Sequence, residues 1–209
     1  MTQRLTEKIT YGKKSKKDNL PIIKSLNMIE IIHKNNTIVV DSENTFLQEL
    51  DYEIPLLRQT PSNRICVLDL HNTLDVLTTN DINIKKLQTI RLQYNLVVAL
   101  SFVGKADGPG STRDNARQEL IQNIKNNVID FGILVFKREF AKGIICNLLL
   151  QKFNVDQLIF ADDGDDHLEA VKDIIGNGKN ILLLGSIHKS DPTKPNDLMD
   201  WITKETSQS

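Results

Sequence analysis

Cysteine is scarce: the 209 residues hold two, Cys66 and Cys146, both within apolar runs. Two thiols cannot build a disulfide-stapled scaffold or a cysteine-rich zinc module, and their scarcity fits a reducing compartment. Neither has an arginine six positions on, which excludes a phosphatase with a cysteine nucleophile. An excess of one charge is missing too. Lys and Arg total 26 against 27 Asp and Glu, a net charge of -1, so no global field draws the chain to nucleic acid or acidic membrane. No apolar stretch approaches the ~20 residues that span a bilayer. Residues 1–17 are polar and show no secretory signal. The expected setting is cytoplasmic.

What is present is an ordinary core composition, 40% hydrophobic and 25% charged, enough for one globular domain with a modest extension. Residues 1–17 carry Arg4, Lys8, Lys13, Lys14, Lys16 and Lys17 against Glu7, a local charge of +5. Such a tail is usually a solvated arm, and a phosphate-binding role is the minority reading. Met28–Ile32 and Thr37–Val40 flank the polar turn His33–Asn36, which predicts a β-hairpin. Ser42 is placed to cap a helix running to about Leu50, and Pro55 and Pro61 mark a loop. We therefore divide the chain into a basic tail and hairpin/helix extension over 1–60 and a main domain over 61–209.

From Arg64 onward short apolar runs alternate with helical spacing. Buried strands are expected at Ile65–Leu70, Leu96–Val103, Phe131–Phe136, Gln157–Ala161 and Asn180–Leu184. Apolar residues three and four apart mark the helices between them: Ile84, Leu87 and Ile90; Ala116, Leu120 and Ile124; Ile145, Leu148 and Leu149; Leu168, Val171, Ile174 and Ile175. A last helix is expected over Asp197–Lys204, with Trp201 and Ile202 packing on the sheet. The alternation specifies an α/β fold: a doubly wound, Rossmann-like, mainly parallel sheet with helices on both faces and an N-terminal β-hairpin extension.

Such sheets bind ligands at the carboxyl ends of their strands. There the sequence places Asp69, His71 and Thr73 after the first main strand, Ser101 at the end of the second, and Asp162, Asp163, Asp165 and Asp166 after the fourth. Lys142 lies just before or within the helix that feeds the fourth strand. Clustered carboxylates repel unless a hard cation neutralises them, and carboxylate oxygens suit Mg²⁺. A phosphoryl group adds charge that needs a lysine and a hydroxyl donor. In that setting Asp69 is the expected nucleophile, forming an aspartyl-phosphate that water cleaves. The acidic pair and phosphorylatable Asp of response-regulator receivers come in the opposite order.

The pattern resembles the haloacid dehalogenase (HAD) superfamily of phosphohydrolases over about residues 64–186. Asp69–Thr73 is similar to its first motif, Asp-x-Asp-x-Thr, with His71 in place of the second Asp. Ser101 matches the second motif, Lys142 the third with Lys137 as a substitute candidate, and Ala161–Asp166 the fourth. The resemblance implies that Asp69 attacks phosphorus and also binds Mg²⁺. The His71 carbonyl, Asp162 and Asp166 are the further metal ligands it implies, with Asp163 competing with Asp166. Ser101 and Lys142 would hold the phosphoryl oxygens, and Thr73 would support the nucleophile loop.

In the family the second Asp of the first motif is the general acid and base. Histidine, with an unperturbed pKa of about 6.5, can play both parts near neutral pH but is only partly protonated there. Leaving groups that need little proton assistance are then favoured. A phenol with pKa about 10 leaves more readily than an aliphatic alcohol, a hint toward aryl phosphates, phosphotyrosine among them. The opposing reading of His71 is a degenerate site in a binding module.

Cap domains of the family insert after the first strand or before the lysine motif. Here seven residues separate Leu74 from Ile82, and five separate Phe136 from Lys142, so no cap is expected. An open site suits a substrate that itself excludes water, such as a phosphoprotein or a nucleic-acid end. Lys105 and Arg113, in the glycine-rich stretch after Ser101, are candidate substrate-binding cations; the plainer role of that stretch is a connector in which Ser111 or Thr112 caps the next helix. His167 at a helix start reads as an exposed helix residue rather than a ligand. The sequence thus points to a phosphoprotein phosphatase. A nucleic-acid end phosphatase, supported only by the basic tail, and a non-catalytic binding module are the alternatives. A bacterial or viral protein directed at host phosphoproteins would fit the unusual first motif.

Overall fold

A computed structural model describes residues 29–53, 57–60, 63–136, 141–176 and 181–185. The basic tail, Lys137, His188 and the expected helix over Asp197–Lys204 lie outside the described residues.

The hairpin forms from β1 (Ile29–His33) and β2 (Asn36–Val40), and its turn is tighter than the sequence suggests. His33 pairs with Asn36, so only Lys34 and Asn35 turn the chain, with Lys34 at φ 56°. Such left-handed φ is what two-residue hairpin turns require. Helix α1 (Glu43–Glu53) follows, with Ser42 Oγ accepting from the Thr45 amide at 3.1 Å as the capping pattern predicts.

The main strands are β3 (Arg64–Leu68), β4 (Leu96–Phe102), β5 (Phe131–Val135), β6 (Gln157–Asp162) and β7 (Ile181–Gly185). They interleave with short α2 (Asp75–Leu77), α3 (Asp81–Arg91), α4 (Thr112–Lys125), α5 (Ala141–Phe153) and α6 (Asp165–Ile175). All seven strands form one sheet in the order β2-β1-β5-β4-β3-β6-β7. The five from β5 to β7 are parallel, while β1 runs antiparallel to both β2 and β5. The hairpin thus extends the sheet itself.

Period-two side-chain direction sends alternate strand residues to opposite faces. Ile65, Val67, Val98 and Leu100 pack with Phe46 and Leu50 of α1, Ile145 and Leu149 of α5 and Val171 of α6. Cys66, Leu68, Val97 and Ala99 pack on the other face with Leu77, Leu87, Ile90, Ala116 and Leu120 from α2, α3 and α4. Both faces are covered, which is why these strands read as unbroken apolar runs. Ile29 and Ile31 join the first core and Ile32 the second, so the hairpin shares the interior of the parallel sheet.

The strand order reverses at β3, whose successors lie on opposite sides, β4 on one and β6 on the other. A crevice opens at such a reversal, outside the carboxyl ends of the flanking strands. Asp69, immediately after β3, and Asp162, the last residue of β6, both stand there. At the opposite end Asp130 accepts both guanidinium arms of Arg58 at 2.6 and 2.7 Å, Arg91 at 2.5 Å and the Val97 amide at 2.7 Å. That cluster ties the approach to β3 onto the start of β4 and takes no part in the crevice.

Candidate active site

Asp69 is held by backbone and side chain alike. Its amide donates to the Ala161 carbonyl at 2.8 Å, continuing the β3–β6 ladder one residue past the strand. The chain then leaves through an irregular turn over Leu70–Leu74, extended at His71 and left-handed at Asn72, φ 56°. Asparagine tolerates that conformation better than most residues. The turn brings His71 and Asn72 to the surface and buries Thr73, whose Oγ1 has no hydrogen-bond partner among the described residues.

Lys142 enters from the first turn of α5 and is only 4% exposed. Its Nζ donates to Asp69 Oδ1 at 2.5 Å and to Asp162 Oδ2 at 2.6 Å. Asp162 is fully buried and also accepts from the Gly164 amide at 2.8 Å. Asp163 completes the group: Asp69, Asp162 and Asp163 each offer a carboxylate oxygen, and these oxygens lie within 4.8 Å of one another. Lys142 thus pairs with two of these three carboxylates. The Asp69 carboxyl is pushed up to about 6, foremost by burial and further by the Asp162 charge, with Lys142 pulling the other way. Burial also acts upward on Asp162, but hydrogen bonds from His167 and Lys142, the Lys142 charge and the Gly164 amide outweigh it and hold its carboxyl below the usual range.

Of the three aspartates that follow β6 directly, Asp163 stands with Asp69 and Asp162, whereas Asp166 is exposed at the start of α6 and outside that group. The turn after β6 thus places Asp163, rather than Asp166, as the third acid beside Asp69 and Asp162. The donor set is wholly oxygen, the kind that hard dications such as Mg²⁺ take. The excess of carboxylate over ammonium supplies the charge such an ion would neutralise.

Ser101, the penultimate residue of β4, is fully buried, and its Oγ lies 3.1 Å from His71 Nδ1. Two of the predicted residues, one at the end of β4 and one in the turn after β3, are therefore in contact. The predicted substrate role of Arg113 does not survive. Its guanidinium is 6% exposed, pairs with buried Glu30 of β1 and lies 4.3 Å over the Phe136 ring. Ser111 rather than Thr112 caps α4, accepting from the Asp114 amide at 3.1 Å. Lys105 sits exposed in the stretch between.

Two residues at the site escaped sequence reasoning. Asn72 Nδ2 donates to Asp163 Oδ2 at 3.1 Å, joining the two acidic loops. His167, expected on the outside of a helix, turns inward: Nδ1 lies 3.0 Å from Asp162 Oδ1 and 3.1 Å from Lys142 Nζ. Gly164 is the available signal. A Cβ there would come within 2.9 Å of Asp166 Oδ1, 3.0 Å of His167 Nδ1 and 3.2 Å of Asp162 Oδ1, so three side chains close over this glycine. Gly164→Ala is expected to displace them and to lower activity about tenfold, given the sensitivity of reacting groups to small misplacements. Steady-state kinetics beside a melting curve check this, and unchanged kinetics would show that the cluster has room to spare.

No family model matches the chain, and no curated protein matches it.

Proposed function

We propose that this protein is a phosphomonoester hydrolase of the haloacid dehalogenase type, with Asp69 as nucleophile and aryl phosphate on a protein, phosphotyrosine, as substrate class. The observation that supports it is the direct contact of Lys142 with both Asp69 and Asp162 at the reversal point of the sheet. Covalent phosphoryl transfer needs a buried carboxylate beside a cation that can hold the transferred oxygens.

Asp69, Asp162 and Asp163 would hold Mg²⁺, which supplies neutralising charge for the carboxylates and the phosphoryl oxygens. The rest is the work of the chain. An Asp69 oxygen forms a bond to phosphorus while the bond from phosphorus to the ester oxygen breaks. His71 gives its proton to the departing oxygen. Water then attacks phosphorus, His71 takes a proton back, and the bond from phosphorus to the Asp69 oxygen breaks to release inorganic phosphate. Ser101 engages His71 Nδ1, which leaves Nε2 for the proton transfers. Lys142 stays within reach of the transferring oxygens throughout.

Substrate size follows from the mouth. After β3 the chain reaches α3 with only the turn and short α2 between, so nothing is inserted there to cover the exposed imidazole of His71. A bulky substrate must exclude water itself. The nucleic-acid alternative rests on the basic tail, outside the described residues. Among those residues, no helix is long and apolar enough to cross a membrane.

The test is hydrolysis of an aryl phosphate with Mg²⁺ and with a chelator, followed by a phosphopeptide panel. Turnover should need the dication, and phosphotyrosine peptides should exceed phosphoserine peptides by about tenfold or more in kcat/KM, the scale of the proton assistance that a phenol leaving group does without. Equal cleavage of both would remove the aryl preference. No hydrolysis of any phosphate by a folded, Mg²⁺-loaded protein would leave the binding-module reading in possession.

A further inference from the structure

A buried ammonium has three N–H donors to satisfy. Lys142 directs one at Asp69 and one at Asp162. The third group within reach is the imidazole of His167, 3.1 Å away. The same ring nitrogen lies 3.0 and 3.2 Å from the two Asp162 oxygens. A carboxylate only accepts and an ammonium only donates, so Nδ1 can serve one of them at a time. In one tautomer it accepts from Lys142; in the other it donates to Asp162. Either way it closes a triangle with the ion pair.

The surrounding backbone is built to bring this ring in. Gly164 precedes α6 and has no side chain to obstruct the approach of His167 to Asp162. Gly143, beside Lys142, lets α5 and α6 meet closely, since a Cβ there would fall 2.7 Å from the Ala170 carbonyl. Two glycines on two elements thus set the spacing at which the ring meets the ammonium. A side chain that only decorated the helix start would need neither.

We propose that His167 is a positioning residue of this site: its Nδ1 holds the Lys142 ammonium and the Asp162 carboxylate in the arrangement from which Lys142 reaches the phosphoryl oxygens. The inference deepens the phosphatase reading and rests on it. His167 acts through Lys142 and Asp162 and need not touch substrate.

Side-chain replacement distinguishes position from mere packing. Asparagine carries its amide atoms one bond from Cγ, where Nδ1 stands, and can donate or accept there. Glutamine extends the amide one atom further, and alanine removes it. With an aryl phosphate and Mg²⁺, His167→Ala should lower kcat about tenfold to a hundredfold, and His167→Asn should stay within about threefold of wild type. His167→Gln should resemble alanine, and all three should melt close to wild type because the ring is partly exposed. Nitrogen-resolved NMR of the imidazole gives a readout that needs no turnover. The His167 Nδ1 resonance should move in Lys142→Met. Asparagine no better than alanine, an alanine variant of wild-type kcat, or an Nδ1 resonance indifferent to Lys142→Met would each overturn the proposal. A wild-type protein without hydrolytic activity would instead sink the phosphatase reading, and the histidine contact would then stand or fall on the NMR result.

Discussion

Asp69→Asn is expected to abolish hydrolysis of aryl phosphate, by at least about three orders of magnitude in kcat, because an amide oxygen cannot form the covalent intermediate. That loss corresponds to about 4 kcal/mol of transition-state stabilisation. The fold should not suffer with the activity. The asparagine Oδ1 still accepts from Lys142, and the Lys142–Asp162 pair remains. Burial holds the Asp69 carboxyl up to about 6, above its unfolded value. The ionised form is therefore disfavoured by folding, and at pH 8 without added metal the wild type bears that cost while the asparagine variant does not. A melting temperature at or above wild type, together with lost turnover, is the expected signature of a strained catalytic carboxylate. Phosphate release and a scanning melt on the two proteins check both halves. A variant that kept a tenth of its activity would show that another group attacks phosphorus, and one that lost activity by unfolding would say nothing for Asp69 as nucleophile.

Much of this fold was legible in the chain because its parallel strands are buried on both faces. Ile65–Leu68 and Leu96–Leu100 are apolar without interruption, and nothing but a covered strand accounts for such runs between helical spacings. Asp69, Ser101 and Asp162 were legible for a related reason: in a parallel sheet a polar residue at the end of an apolar run falls at the carboxyl edge. Lys142 was harder. Its helix is apolar nearly all round, with Lys142 itself buried among Ala141, Gly143 and Ile144, and it is the family resemblance that ranks it ahead of Lys137. What stayed hidden was pairing between distant residues. Glu30 and Arg113 are 83 positions apart, and no local pattern says that a glutamate inside an apolar hairpin strand waits for a helix. Arg113 therefore reads, from the sequence, as a substrate cation near the second motif. The family resemblance implies Asp166 with Asp163 as its competitor, whereas the turn geometry that presents Asp163 depends on Gly164 and on a hydrogen bond from Asn72. Helix periodicity puts His167 on the outside because it does not report where a first-turn side chain bends back across its own N-terminus.

Glu30→Ala is expected to cost about 3–5 kcal/mol, the penalty for stranding a buried charge, which is a large share of the 5–15 kcal/mol that ordinarily separates folded from unfolded states. The Glu30 carboxylate is fully buried in β1 and accepts from Arg113 and from Arg117 Nε at 2.8 Å. Arg117 also reaches Asp107 at 2.7 Å, so the four charges balance in pairs across the hairpin, α4 and the stretch after β4. Among the described residues, removing Glu30 leaves buried Arg113 with Asp107 for a counter-ion, at 3.4 Å. Replacing Glu30, Arg113 and Arg117 together with methionine should recover much of the loss, because a buried apolar set can match an ion network that its own desolvation has taxed. The dependence on pH has a definite sign. Burial acts to raise the Glu30 carboxyl, but the hydrogen bonds and charges of Arg117 and Arg113 prevail and its pKa lies below the ordinary glutamate value. Its contribution is therefore complete above about pH 4.3, the unfolded value, and is lost as the pH falls through the lower folded value. The gap between wild type and Glu30→Ala, measured by denaturant unfolding, should be widest near neutrality and narrow in acid. Arg113→Met provides the contrast with a substrate role. It should lower stability and leave KM for aryl phosphate unchanged, whereas a raised KM at unchanged stability would return Arg113 to the substrate.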